Sequence, residues 1–133
     1  MTDRGPAAGA GIVPDADIRL ALARRQFNAG EYFACHETLE RLWIEERTAV
    51  RDLYKGILQI AVALHHEGGG NRRGALRLLQ SGQTLIEPFA PACQGLDVAG
   101  LLVQARACRA ALDCADSEKV LSAACVIMLH AAP

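Results

Sequence analysis

Aromatic side chains are scarce: Phe, Trp and Tyr make up 5% of the 133 residues, although 51% of the chain is hydrophobic. Stacked rings therefore cannot supply the core. Leu, Ala, Val and Ile must do so, and Ala and Leu are strong helix formers. An excess of one charge is missing as well, the formal net charge being −1. Nucleic acid and anionic membranes select a basic excess or a dense basic patch, so neither is an expected partner. Arg72, Arg73 and Arg77 form a local cluster on one predicted helix, which reads as a solvated face. Long apolar runs are absent too: the stretches 57–64 and 121–129 fall well short of the roughly 20 residues that span a bilayer.

No Cys-x-x-Cys pair occurs. The five cysteines, Cys35, Cys93, Cys108, Cys114 and Cys125, are odd in number, which argues against a disulfide framework and against a thiolate zinc site. Cys35, Cys108 and Cys125 fall in apolar helical patterns and are expected to serve as small core hydrophobes. Residues 1–13 have neither the charged start nor the apolar run of an export signal. Rich in Gly and Ala, they are expected to form a disordered tail ahead of one helical domain over 14–133. Reduced thiols and no targeting segment point to the cytoplasm.

What is present is helical periodicity. Pro14 and Asp15 open a first helix to about Asn28, and Gly30 can take the left-handed conformation that ends it. A second helix runs from Glu31 to about Glu46, with the acidic Glu31 at its positive end. Thr48 is read as the cap of a third, over 49–67, which Gly68-Gly69-Gly70 stops. Asn71 caps a fourth to about Ile86, ahead of Pro88 and Pro91. Asp97 begins a fifth through Leu112, and Asp116-Ser117 a sixth to about His130. No stretch alternates with period two, so no strand is expected. The fold class is all-α: a compact bundle of about five to six helices built from antiparallel helical hairpins. A weak echo between the segments after Gly30 and Gly70 gives it a tetratricopeptide-like character.

Phase adds detail. At about 100° per residue the third helix is apolar nearly all round, which places it in the middle of the bundle. Its one polar strip carries Arg51, Lys55, Gln59 and His66. Gly56 and Gly82 lie on apolar arcs, where each costs up to about 1 kcal/mol of helix propensity. They are best explained by a close helix crossing.

The second helix carries the one constellation with chemical content. Cys35, Leu39, Leu42, Tyr32 and Trp43 form its apolar arc, and Phe33 and Ile44 a second apolar edge. His36 and Glu40 lie between the two, one turn apart and facing the same way. Such a pair can bind a metal, act as an acid/base couple, or hydrogen-bond within the fold. Neither His-Glu-x-x-His nor the di-iron Glu-x-x-His pattern is met, because Glu40 stands four after His36 and Phe33 three before it. Further ligands would have to come from Gln59 and His66, if their strip faces the second helix rather than water. Nucleophilic catalysis has little support: Ser81, Ser117 and Ser122 lie in helical patterns, and no Gly-Lys-Ser/Thr follows the triple glycine.

Phe27-Asn28, Glu31-Tyr32-Phe33, His36-Glu37, Leu39-Glu40 and Trp43, followed by Lys55-Gly56, Gln59, Ala61, Ala63, Asn71 and Gly74-Ala75, resemble the DUF309 family. That group comprises small bacterial and archaeal helical proteins without an assigned function. The resemblance spans 15–88, and the helices over 95–131 rest on periodicity alone. It implies a helical bundle and puts a site at His36, Glu37, Glu40, Trp43 and Gln59, and it implies no reaction and no cofactor; the strip of the third helix adds His66, which shares a face with Gln59.

Three uses of these residues follow. The first is a non-catalytic module that binds a protein partner or a small ligand, or pairs two copies of the chain. The second is metal binding or metal-assisted hydrolysis between helices two and three, with His36 and Glu40 as candidate ligands. In the third, His36 and Glu40 tie helices together through buried hydrogen bonds. The first is preferred, and whether the chain is an enzyme stays open.

Overall fold

The computed structural model describes residues 16–114 and 126–133. Its helices are α1 (Ala16–Asn28), α2 (Tyr32–Glu45), α3 (Arg51–Gly68), α4 (Arg72–Ile86) and α5 (Val98–Cys114). Each packs on the next in sequence. They run antiparallel, as the cross-links show: Arg19 at the start of α1 pairs with Glu45 at the end of α2. Arg106, midway along α5, pairs with Glu87 at 3.1 Å, just beyond the end of α4.

The turns follow from local chemistry. Gly30 (φ +78°) and Gly70 (φ +85°) close α1 and α3 in the left-handed conformation, which glycine adopts at no steric cost. Asn71 accepts a hydrogen bond from the Gly74 amide at 3.0 Å, and Asp97 from the Gly100 amide at 2.9 Å. Both capping expectations hold. Thr48 does not cap α3: the cap position is Val50. Thr48 instead starts the turn that leads in, its Oγ1 accepting from the Val50 amide at 3.3 Å. The nearly buried Glu46 holds it there, accepting from the Thr48 hydroxyl at 2.6 Å and its amide at 3.1 Å.

The core centres on α3, as its all-round apolar pattern requires. Leu53, Tyr54, Ile57, Ile60, Ala61, Ala63 and Leu64 are buried between α2 and α4. Phe27, Leu39, Leu42, Leu79, Ile86 and Leu112 complete it from the flanking helices. No helix among the described residues is long and apolar enough to cross a membrane.

Three expectations need correction. A small antiparallel ladder exists, pairing β1 (Ala92–Cys93) with β2 (Leu96–Asp97). Its two-residue turn places Gln94 (φ 54°) and Gly95 (φ 74°) in the left-handed region, the geometry that matches strand twist. Strands two residues long leave no period to detect.

The sixth helix is not formed at its C-terminal end. Residues 116–125 lie outside the described residues, and 126–130 are extended, with Ala131 bridging Leu96. A short apolar run rich in Val and Ile reads equally as helix or strand, and here the open edge of β2 decides.

Cys108, expected to be a plain core thiol, is buried but disulfide-bonded, whereas Cys35, Cys93 and Cys114 are free. The reduced-thiol argument for a reducing compartment therefore loses one of its members.

Candidate functional site

Between α2 and α3 the residues shown in contact are Trp43 with Arg51 and Lys55. On α2, Cys35, Leu39 and Leu42 point into the core. The residues that follow two of them, His36 and Trp43, therefore sit half-buried at its edge. Tyr32 begins the helix; burial first, and then the charge of Glu67, push its phenol pKa above 10.0. That coupling puts the start of α2 beside the end of α3. At the opposite end Trp43 lies under two cations: the Arg51 guanidinium is 5.2 Å and the Lys55 ammonium 5.4 Å from its ring. Between these two anchors α2 offers His36 and Glu40, and α3 offers Gln59.

The polar strip of α3 thus turns at least partly toward α2. Lys55, Gln59 and His66 are half-buried rather than free in water. Phe33, 63% exposed, stacks on the His36 ring with centroids 6.0 Å apart and 25° between planes. It forms an outer wall to the imidazole.

Buried here are three polar atoms without a hydrogen-bond partner: His36 Nδ1, Trp43 Nε1 and Gln59 Oε1. An unpaired buried group of this kind costs about 1–3 kcal/mol and is rare in folded proteins. Their chemistry is complementary, since indole N–H only donates and an amide oxygen only accepts.

The remaining residues are less involved. Glu37 is exposed, and Glu40 is half-buried with no hydrogen bond. His66 lies 6.3 Å from His65, ring to ring, at a tilt of 49°. Neither His36 nor Glu40 ties helices together through a hydrogen bond, so the purely structural use of that pair finds no support. Nor do three His, Cys, Asp or Glu side chains converge to hold a metal among the described residues. His36 and Glu40 lack a third ligand of those types, and structural zinc takes four. Sequence reasoning noted Arg51 and Lys55 only as part of a strip. Their spacing from Gln59, one and two turns, is the signal that would have put them on the Trp43 face.

Comparison with known proteins finds a family similar to the segment that contains this face. Residues 20–78 match the family model for DUF309, a domain of unknown function. Over these residues the chain is similar to the DUF309 family. The match runs from within α1 to within α4 and so contains His36, Glu37, Glu40, Trp43, Gln59 and His66.

Two similar relatives are named as uncharacterized. Over 75 residues the chain is 39% identical to "Uncharacterized protein YpuF" of Bacillus subtilis (strain 168), covering 54% of this chain and 43% of that protein. Over 78 residues it is 28% identical to an "Uncharacterized protein" of Aquifex aeolicus (strain VF5), covering 58% of this chain and 22% of that protein. The chain thus spans less than half the length of either relative. No solved structure is significantly similar to it. Outside the matched residues lie α5, the β1–β2 turn and the segment at 126–133.

Proposed function

We propose that this chain is a non-catalytic binding module whose α2–α3 face takes a small polar ligand at Trp43, Gln59 and His36. The observation that carries this reading is the trio of buried, unpaired and mutually complementary polar atoms. A ligand bearing a carboxamide or a peptide unit offers the acceptor that Trp43 Nε1 needs and the donor that Gln59 Oε1 needs. Arg51 and Lys55 over the indole add positive charge at the rim, which favours a ligand that also carries a carboxylate. A cytoplasmic home fits the free thiols of Cys35, Cys93 and Cys114, and the Cys108 disulfide counts against it.

Trp43 is the sole tryptophan, so its fluorescence reports on the site directly. Titration with free amino acids, dipeptides and dicarboxylates should find a compound that shifts its emission saturably, with the shift lost in Gln59→Met. Stability gives a test that needs no ligand. A binding residue left unpaired in the free protein can be made apolar at no loss, so Gln59→Met should leave stability unchanged or raise it by up to about 1 kcal/mol. A loss beyond about 1 kcal/mol in urea unfolding would assign Gln59 to the fold and overturn the reading.

A further inference from the structure

We infer that the disulfide of Cys108 closes on Cys125 and is a redox latch: oxidised, it holds residues 126–132 against α1, α5 and β2, and reduced, it lets them leave.

The pairing follows from elimination and from reach. Of the five cysteines, Cys35, Cys93 and Cys114 are free and Cys108 is disulfide-bonded, which leaves Cys125. Cys114 is also out of range on its own helix. Six residues of helix rise about 9 Å, more than the ~7 Å between Cα atoms that a disulfide tolerates. The chain has the length to close on Cys125. Gln104 of α5 holds Met128, donating to its carbonyl at 2.9 Å and accepting from its amide at 2.8 Å. Cys108 stands about one turn further along α5 than Gln104, and Cys125 comes three residues before Met128. Three residues can span about 10 Å and one helical turn rises about 5.4 Å, so the tether permits the bond.

What the bond secures is a strand that the helices seat by side-chain contacts. Asn28, the last residue of α1, donates from Nδ2 to the Leu129 carbonyl at 3.0 Å and accepts from the Leu129 amide at 2.7 Å. Arg24 donates from Nε to the same carbonyl at 3.0 Å. Along β2 the Asp97 amide donates to the His130 carbonyl and the Ala132 amide to the Gly95 carbonyl, each at 2.9 Å. Ile127 and Leu129 are buried beneath it.

Breaking the bond changes the odds of that seat. A cross-link over 108–125 removes freedom that the segment would gain on leaving, and that restriction is the main way a disulfide stabilises. Once it is reduced, the strand is joined to the end of α5 only through the backbone of 115–125. The reductant is a dithiol. One of its thiolates attacks a sulfur of the bond, the other sulfur leaves as a thiolate and takes up a proton, and the second thiol resolves the mixed disulfide. Cys108 and Cys125 end as thiols and the reductant as a disulfide. Arg24 and Asn28 lie within the residues matched to DUF309, whereas both cysteines of the latch lie outside them. The latch is separate from the α2–α3 face and does not rest on the function proposed there.

The test uses the full chain, equilibrated with oxidised glutathione and alkylated before digestion. Trypsin cuts after Arg106, Arg109 and Lys119, so residues 107–109 and 120–133 should appear as one linked species that dithiothreitol separates. Cys108 and Cys125 both alkylated without reduction, or Cys108 linked to another cysteine, overturns the pairing.

Hydrogen exchange then reads the latch. On reduction the Met128 and Leu129 amides should exchange at least tenfold faster, while the Ile60 amide of α3 keeps its rate. Cys125→Ser should match the reduced chain with or without dithiothreitol. Equal protection of Met128 and Leu129 in the two redox states overturns the latch. An acceleration that Ile60 shares makes the bond a support of the whole fold and overturns it as well.

Discussion

A Cβ on Gly56 would stand 2.9 Å from the carbonyl oxygen of Gly82, and a Cβ on Gly82 would stand 2.8 Å from the carbonyl oxygen of Gly56. The two glycines are the point where α3 and α4 cross backbone to backbone. The added carbon on Gly56 would also run into Ile86 Cγ2, and that on Gly82 would meet Ile60 Cγ1 at 2.8 Å. Alanine gains up to about 1 kcal/mol of helix propensity over glycine. Forcing two backbones apart in a packed core typically costs 1–3 kcal/mol. The clash should win, so Gly56→Ala and Gly82→Ala should each destabilise by about 1–2 kcal/mol in urea unfolding. Gly68→Ala, where nothing lies within 4 Å, is the control and should not destabilise.

The α4 cap is separable from that crossing. Asn71 satisfies the Gly74 amide from outside the core. Asn71→Ala should therefore cost about 1 kcal/mol, while Asn71→Ser and Asn71→Asp should retain most of the stability. A thermal melt of the three variants checks the order.

Burial pushes the Cys35 thiol from 9.0 up to about 12. Its Sγ donates to the Ala23 carbonyl at 3.3 Å, linking α2 to α1. Near pH 8 Cys35 should resist alkylation until the chain unfolds, whereas the exposed Cys114 should react at once. Mass spectrometry of iodoacetamide-treated protein distinguishes them.

The stability consequence has a definite sign. Above pH 9 the unfolded thiol loses its proton while the folded one keeps it, so unfolding is favoured as pH rises. This group alone should lower stability by up to about 1.4 kcal/mol per pH unit between pH 9 and 12. Tyr32 and Tyr54, also raised by burial above 10.0, act in the same direction.

Much of this architecture is legible in the sequence because it is local. Periodicity and capping residues placed all five described helices, and the apolar arcs of Gly56 and Gly82 announced the α3–α4 crossing. What stayed hidden depends on contacts between distant residues. Asn28 and Gln104 are unremarkable as helix residues; their role appears only when Met128 and Leu129 lie between them. The extended course of 126–130 depends on an open edge of β2 that two-residue strands do not advertise. The Trp43 face was half legible. The helical wheel put Gln59 and Lys55 on one strip but did not fix which neighbour the strip meets, and the residues assigned to it are still a proposal.

His36 separates the remaining uses of that face. Hydrogen-bonded within the fold, it should cost about 1–3 kcal/mol when removed, because a buried partner would be left unpaired. The structure gives Nδ1 no such partner, so His36→Leu should be neutral, or stabilising by up to about 1 kcal/mol. Metal binding predicts something different, since excess zinc should then raise the melting temperature of the parent and not of His36→Leu. With no third His, Cys, Asp or Glu at hand among the described residues, zinc should leave both melting temperatures alone. A zinc-dependent rise that vanishes in His36→Leu would restore His36 and Glu40 as ligands. A neutral His36→Leu that also loses the ligand-induced change in Trp43 emission would assign the imidazole to the binding site.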